Sequence, residues 1–230
     1  MKKRYLVLSG FLSLTLAACS QEKSATSDSK ASSEQSTVQE GTVGSKSQEA
    51  SQKKAEVVDK GDHYSIQGKY DEIIIANKHY PLSKDYNPGE NPTARQKVNK
   101  LISDAQALGL NVSNQVSGFR AYDTQAGLYN NYVALHGKQE ADRFSARPGY
   151  SEHQTGLVFD LIDNQGQLLG AEGTSESSKK AAEWLEKNAH KYGFIVRYKP
   201  EFVEKTGYME ESWHIRYVGE DVAKTIHERN

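Results

Sequence analysis

Cysteine, methionine and tryptophan are scarce in this chain of 230 residues, which has one, two and two of them, respectively. The single cysteine, Cys19, has no partner with which to form an intramolecular disulfide. A charge surplus is also missing, because 29 Lys and Arg face 30 Asp and Glu, for a net charge of −1. Since basic residues do not outnumber acidic ones, we expect no nucleic-acid partner. No internal repeat is evident, which indicates a single folded domain rather than a repeat array.

The N-terminus has the pattern of a lipoprotein signal peptide over residues 1–18. Three basic residues, Lys2 to Arg4, precede an apolar run that is shorter than the roughly 20 residues of a membrane span. The run leads into Leu16-Ala17-Ala18-Cys19. This tetrapeptide resembles a lipobox, in which Cys19 would receive a diacylglyceryl group and become the new N-terminus. We therefore expect lipid anchoring to the cell membrane through Cys19, on the extracellular face of a Gram-positive-type cell.

Residues 19–59 are predicted to be a disordered tether. They are rich in Ser, Gln, Glu, Lys and Thr and nearly free of large apolar residues, so they cannot bury enough surface to offset the entropy of folding. A flexible tether of about forty residues has a root-mean-square span near 35 Å. Residues 60–230 are long enough to form one domain with a core.

Hydrophobic periodicity predicts the elements of this domain. Helices are expected over 93–108, 123–135, 175–191 and 220–228, and strands over 72–76, 111–119, 157–162, 194–198 and 213–217. Asp123 and Gly137 are the expected N-cap and C-cap of the second helix. Several strands joined by short connections predict an α+β fold, with a small antiparallel sheet flanked by helices.

Two segments have the residue types of a catalytic zinc site. Two histidines and a carboxylate, here His153, His214 and Asp160, give zinc three protein ligands and leave the fourth position for water. Glu211 comes three residues before His214, where its carboxylate could accept a proton from that water. The strand period puts Asp160 and His214 on faces that would meet if their two strands were neighbours.

Chance is the competing explanation for this pattern. A lone His-x6-Asp pair occurs often without a metal. The remaining histidines lack a comparable carboxylate setting, so each is interpreted as a solvated or packed imidazole: His63, His79, His136, His190 and His227.

The ordered set of motifs resembles the VanY-type zinc D-Ala-D-Ala carboxypeptidases, over roughly residues 73–230. The family motif SxHxxGxxxD matches the segment from Ser151 to Asp160, and ExxH matches Glu211 to His214. The resemblance implies one zinc per chain on His153, Asp160 and His214, with Glu211 as the base. It also implies a zinc peptidase domain with an antiparallel sheet.

Two further segments belong to the same resemblance. Ser117-Gly118-Phe119-Arg120 matches SG(F/Y)R, which implies that Arg120 stabilises the charge on the scissile carbonyl oxygen. The stretch 76–88 matches the NKxxPLxxDYxP segment of the VanY-type branch. Within this branch the chain is most similar to the LdcB/DacB-type L,D-carboxypeptidase lipoproteins, which act on peptidoglycan stem peptides.

Alternatives remain open for several of these residues. Arg120 is instead a surface ion-pair residue in the simpler interpretation. Gln125 and Ser151 either bind the terminal carboxylate of the substrate or serve as a helix-surface glutamine and a capping serine. Trp213 either lines the substrate pocket or packs in the core. Glu210 is the second candidate for the base.

The predicted function is removal of the terminal D-Ala from tetrapeptide stems by a monomeric enzyme. Three alternatives stay open at this point: D,D-carboxypeptidase activity on pentapeptide stems, a lipoprotein that binds muropeptides without cleaving them, and a cell-surface adhesin or structural lipoprotein. Zinc retention by the purified protein would separate the last of these from the others.

Overall fold

The computed structural model describes residues 55–67 and 72–229, and the structural statements below refer to these residues. The strands are β1 (Val57–Asp59), β2 (Tyr64–Gln67), β3 (Glu72–Ile75), β4 (Val116–Ser117), β5 (Val158–Leu161), β6 (Phe194–Arg197) and β7 (His214–Tyr217). The α-helices are α1 (Pro92–Ala107), α2 (Tyr122–His136), α3 (Lys138–Phe144), α4 (Glu176–Asn188), α5 (Val203–Thr206) and α6 (Glu220–Arg229). Single 3-10 turns span Glu152–Thr155, Ala189–Tyr192 and Pro200–Phe202. None of the helices in the described ranges has the length and apolar character needed to cross a membrane.

The α+β fold with antiparallel pairing is confirmed, although the strands form two small sheets rather than one. The first has the order β1-β2-β3 and the second β4-β5-β7-β6, and each neighbouring pair is antiparallel. Strand β1 comprises the last three residues of the stretch predicted as a tether. It pairs with β2 from Val57↔Ile66 to Asp59↔Tyr64, so the folded part begins a little earlier than expected. Cys19, the predicted signal peptide and most of the predicted tether lie outside the described residues.

Two predicted boundaries were wrong for local reasons. Of the strand expected over 111–119, only Val116–Ser117 forms, because the residues before it make other hydrogen bonds. The Ser113 hydroxyl accepts from the Gln115 amide at 3.1 Å, and such local bonds compete with a strand ladder. Helix α2 begins one residue before Asp123, which therefore lies in the first turn and not at the cap. Gly137 is the C-cap, as predicted, with a φ of 79°.

The core lies on one face of the four-stranded sheet. Phe159 and Leu161 of β5 and Ile215 of β7 pack with buried residues of α1 and α4 in a single hydrophobic cluster. Because side chains alternate along a strand, Asp160 and His214 point to the opposite face. The pleat of two paired strands therefore keeps polar groups out of the core and collects them on one surface.

The segment that matched the family's N-terminal motif packs against the turn that carries His153. The side-chain amide of Gln154 donates to the carbonyls of Ser83 and Tyr86 at 2.8 and 2.9 Å. Gly156 ends this turn in the left-handed region, with a φ of 72°, and a Cβ there would overlap the Gly89 carbonyl oxygen. Close backbone packing therefore favours glycine at position 156, at the end of the turn that carries His153.

Candidate active site

Three elements bring the predicted metal ligands together. His153 lies on the 3-10 turn Glu152–Thr155, Asp160 on β5 and His214 on β7. Asp160 and His214 are direct cross-strand partners, as the strand-period argument required. One ligand atom from each of the three side chains lies within 4.8 Å of the others, and all three residues are buried. Among the described residues, no other group of His, Cys, Asp and Glu meets this spacing.

The two imidazoles expose different nitrogens to the site. His153 Nδ1 lies 2.7 Å from the Gly118 carbonyl oxygen, which can only accept, so Nδ1 donates and Nε2 keeps its lone pair. That Nε2 is 3.0 Å from Asp160 Oδ2. In His214 it is Nδ1 that faces Asp160, 3.0 Å from Oδ1, while Nε2 faces Glu152. The donor set is therefore His153 Nε2, an Asp160 oxygen and His214 Nδ1.

This donor set fits a tetrahedral zinc ion. Zinc binds histidine nitrogen and carboxylate oxygen at about 2.0–2.2 Å, so neighbouring ligand atoms lie about 3.3–3.6 Å apart. The distances from His153 Nε2 to Asp160 Oδ2 and from His214 Nδ1 to Asp160 Oδ1 are both 3.0 Å, a few tenths of an ångström below that range. Two nitrogens and one oxygen leave one tetrahedral position for a non-protein ligand, as in catalytic sites.

The electrostatics of the site favour positive charge between these ligands. Burial raises the pKa of Asp160, but His153 and His214 outweigh it and hold the carboxylate ionised. Burial lowers the pKa of His214, but its hydrogen bonds with Asp160 and Glu152 raise the pKa to about 10. The same acids that attract a proton to His214 would attract a metal cation in its place.

Glu211 lies beside the ligands, in the segment just before β7. Its Oε2 is 3.4 Å from His214 Nδ1, and its backbone amide donates to the Tyr198 carbonyl at 3.0 Å. Burial raises the pKa of Glu211 to about 7, although the charge of His214 acts in the opposite direction. A carboxyl group whose pKa is close to neutral pH is suited to accept and return a proton, although a bound cation would lower this pKa again. Glu210 is exposed and lines a different cavity, so the geometry favours Glu211 as the base.

A cavity of about 350 Å³ opens over the ligands, and Arg120, Gln125, Ser151 and Trp213 all line it. Arg120 is not the surface residue of the simpler interpretation, because its side chain is only 18% exposed and its Nη2 lies 3.9 Å from Asp160 Oδ2. Its Nη1 donates to Gln125 Oε1 at 2.7 Å and its Nη2 to the Ser117 hydroxyl at 3.1 Å. Arg120 therefore faces the same space as the metal ligands.

The remaining candidates, Gln125, Ser151 and Trp213, also line this cavity. Gln125 is 1% exposed rather than on a helix surface, and its amide nitrogen donates to the Ala146 carbonyl at 2.6 Å. The Ser151 hydroxyl accepts from the His153 amide at 3.3 Å, which is the capping role. Trp213 packs against the core cluster and also lines the cavity. Gln125 and Ser151 thus hold Arg120 and His153 in place at the cavity wall.

The buried charges behind His214 were not predicted from the sequence. Glu152 Oε1 lies 3.0 Å from Arg197 Nη1 and 3.5 Å from Arg216 Nη1. Burial raises the pKa of Glu152, but Arg197, His214 and Arg216 outweigh it and lower the pKa to about 2. One signal was available, because Arg216 is two residues after His214 on a strand and must share its face. No comparable pattern pointed to Arg197, whose place beside His214 comes from the pairing of β6 with β7.

The other histidines in the described part of the chain do not join the site. His190 and His227 stack at a ring-centroid distance of 3.6 Å, and His136 packs edge-on against Phe144. His63 lies beside Asp62 and Tyr86. These contacts agree with the interpretation of these rings as solvated or packed imidazoles, although His63 also has a carboxylate partner in Asp62.

The fold and the site together define a class of protein, a metallopeptidase-like hydrolase. Its cavity combines two histidines and an aspartate with a nearby glutamate and an arginine. The sequence model of the VanY D-alanyl-D-alanine carboxypeptidases matches residues 89–220. The chain belongs to this family, as the motifs predicted.

The chain is similar in sequence or in structure to several known carboxypeptidases and related proteins. The Bacillus subtilis protein YodJ is 33% identical over 186 residues, which cover 72% of this chain and 67% of YodJ. The crystal structure of an L,D-carboxypeptidase DacB from Streptococcus pneumoniae shares 60% identity, with a TM-score of 0.71, and the match covers 76% of this chain and 91% of DacB. A variant of the vancomycin-resistance D,D-pentapeptidase VanY in complex with Zn(II) shares 29% identity, with a TM-score of 0.56, and the match covers 67% of this chain and 92% of that one.

Proposed function

We propose that this protein is a zinc-dependent peptidoglycan L,D-carboxypeptidase, which removes the terminal D-Ala from tetrapeptide stems. The observation that carries the proposal is the convergence of His153, Asp160 and His214 with Glu211 and Arg120 on one cavity. Family membership supports the carboxypeptidase chemistry, and the 60% identity to DacB supports L,D rather than D,D specificity. The VanY structure with Zn(II) supports the identity of the metal.

His153, Asp160 and His214 would hold the zinc ion, which when bound polarises the scissile carbonyl and makes the attacking water more acidic. Glu211 accepts a proton from the water while the oxygen of that water bonds to the scissile carbonyl carbon. The Glu211 carboxyl then returns the proton to the nitrogen of the leaving D-Ala as the C–N bond breaks. Arg120 donates to the oxyanion that develops on the carbonyl oxygen. The products are a tripeptide stem and free D-Ala.

Digestion of purified muropeptides tests the proposal directly. Tetrapeptide and pentapeptide stems are incubated side by side with one preparation, and the products are identified by mass spectrometry. We expect tripeptide and D-Ala from the tetrapeptide, loss of activity on treatment with a chelator, and recovery on addition of zinc. Faster release of D-Ala from the pentapeptide would establish D,D activity instead, while retained zinc with no cleavage of either would favour a muropeptide-binding protein.

The terminal carboxylate of the substrate is a second point of specificity. The polar groups around the cavity, Arg120 with Gln125 and Ser151, are suited to an anionic chain end, and leaving a buried charged group unpaired is unfavourable. We expect amidation of the terminal D-Ala to suppress cleavage strongly, in an assay with matched acid and amide tetrapeptides. Equal cleavage of both would mean that the enzyme is not restricted to free chain ends.

The location of the protein is proposed from sequence alone. Lipidation at Cys19 would anchor it in the membrane on the extracellular side, with residues 20–54 as part of a tether. Stable anchoring of this kind comes from acyl chains, so Cys19→Ser should release the protein from the membrane fraction or leave an unprocessed precursor. A correctly cleaved Cys19→Ser protein that remains in the membrane fraction would contradict the proposal.

A further inference from the structure

Glu152 is a buried carboxylate whose two oxygens face different partners. Its Oε2 lies 3.2 Å from His214 Nε2, on the side of the ring away from Asp160. Its Oε1 lies 3.0 Å from Arg197 Nη1 and 3.5 Å from Arg216 Nη1. The side chain is 1% exposed, so solvent does not compete for these contacts.

The two arginines fix the carboxylate in this orientation. Arg216 is 2% exposed, and its Nη2 donates to the Ile74 carbonyl at 2.9 Å, which joins it to the neighbouring three-stranded sheet. Arg197 is the cross-strand partner of His214. With two guanidinium groups against Oε1, the negative charge of Glu152 is compensated where it is buried. The Oε2 atom is left to His214.

We propose that Glu152 is a positioning residue that holds the proton of His214 on Nε2, so that Nδ1 presents its lone pair to the metal ion. A carboxylate can only accept, and a neutral imidazole has one donor and one acceptor nitrogen. The hydrogen bond to Glu152 therefore fixes the tautomer as well as the rotation of the ring, as groups behind metal-bound histidines do. This inference rests on the proposed metal site but not on the substrate of the enzyme.

The ring of His153 is oriented in the same way, but by a main-chain acceptor instead of a side chain. Its Nδ1 donates to the backbone carbonyl of Gly118, a main-chain group that is present whatever the side chain at that position. The two metal-binding imidazoles are thus oriented by opposite ring nitrogens and by different kinds of acceptor. Only the acceptor for His214 belongs to a side chain, so it alone is lost when that side chain is exchanged.

Glu152→Gln tests this dependence with almost no change of shape. The amide oxygen should stay with the two arginines, because they can only donate, and the amide NH₂ would then face His214 Nε2. Two donors would oppose each other unless the proton of His214 moves to Nδ1, the atom needed for the metal. We expect zinc affinity, measured by competition with a chelator, to fall about 10- to 100-fold. Glu183→Gln, an exposed site on α4, is the matched control and should bind zinc as the unmodified protein does.

Two results would overturn the proposal. One is a folded Glu152→Gln protein, by circular dichroism, with unchanged zinc affinity. The other needs no variant: in the zinc-loaded unmodified protein with ¹⁵N-labelled histidine, NMR should place the ring proton of His214 on Nε2, and finding it on Nδ1 would exclude the assigned tautomer. Because both measurements use zinc alone, a failure here is distinguishable from absence of carboxypeptidase activity.

Discussion

The cavity has two walls that are built in different ways. What we call the metal wall, after its proposed role, consists of His153, Asp160 and His214, and the substrate wall, also named for its proposed role, consists of Arg120, Gln125, Ser151 and Trp213. The metal wall comes mainly from paired strands and a turn packed onto them, and its charged side chains contact one another. The substrate wall comes from the loop after β4, the start of α2 and the residues next to the ligands.

Arg120 illustrates the difference. A guanidinium group has five donor hydrogens, and in the described part of the chain the side chain makes two hydrogen bonds, to Gln125 and Ser117. It therefore keeps donors for a substrate oxygen, whereas both nitrogens of His214 are already directed at acids. Metal content and turnover should accordingly respond separately to changes in the two walls.

The largest effect is expected from the metal wall itself. Replacing His153, Asp160 or His214 by Ala should remove the metal and with it essentially all turnover, since two remaining ligands cannot hold zinc tightly. Elemental analysis of each purified variant checks the stoichiometry, which we expect to be about one zinc per unmodified chain. Full metal content in all three variants would refute the ligand assignment.

Glu211→Gln should separate proton transfer from metal binding. We expect turnover to fall by about 10²- to 10⁴-fold while zinc content stays the same, because only the proton acceptor is lost. Glu210→Gln is the matched control and should retain activity, since its side chain is exposed and lines another cavity. The opposite pattern in the two variants would assign the base to Glu210.

Arg120→Lys changes the substrate wall and keeps the positive charge. Lysine lacks the planar fork that bonds to Gln125 and Ser117, so its ammonium group would not be held at the same point. We expect kcat to fall by about 10²- to 10³-fold, as for the loss of a donor to an oxyanion, with zinc content unchanged. Arg143→Lys, at an exposed residue of α3, serves as the control. Loss of zinc from Arg120→Lys would show that the two walls are not separable.

The smallest effect is expected at Gln125, which contacts Arg120 from behind. Gln125→Met removes both hydrogen bonds of the buried amide and leaves Arg120 less well oriented. We expect turnover to fall about tenfold and the free energy of unfolding to fall by about 1–3 kcal/mol, because buried partners lose their hydrogen bonds. Steady-state kinetics and urea unfolding measure the two effects. A loss of turnover equal to that of Arg120→Lys would instead indicate direct contact of Gln125 with the substrate.

The predictions from sequence were accurate where the signal was local. The periods of the helices and strands gave most elements to within a few residues, and the side-chain alternation on β5 and β7 gave the face of Asp160 and His214. Local bonding overrode the pattern over 111–119, where the run of apolar and polar residues was compatible with a longer strand than the two residues that form β4. Strand β1 was missed because three residues of a polar segment have no periodicity to detect.

The candidate site also divides into residues that could be identified from the sequence and contacts that depend on the folded chain. The family motifs include the spacings of His153, Asp160, Glu211 and His214, so these residues could be identified from the sequence alone. The position of Arg120 beside Asp160 and the capping bond of Ser151 needed the folded chain. The roles of these residues in catalysis and substrate binding stay predictions until the variants are measured.

By itself, then, the sequence determined which residue types could bind a metal, which face of each strand they occupy and which family the chain resembles. Only the tertiary structure decided which nitrogen of each histidine faces the site, because that depends on acceptors contributed by distant parts of the chain. Glu152 meets Arg216 across 64 positions of sequence, and His153 meets the Gly118 carbonyl across 35. A hydrogen bond acts over about 3 Å, whereas a sequence pattern describes only neighbours along one element, so the groups that orient the ligands become visible only when the strands are paired.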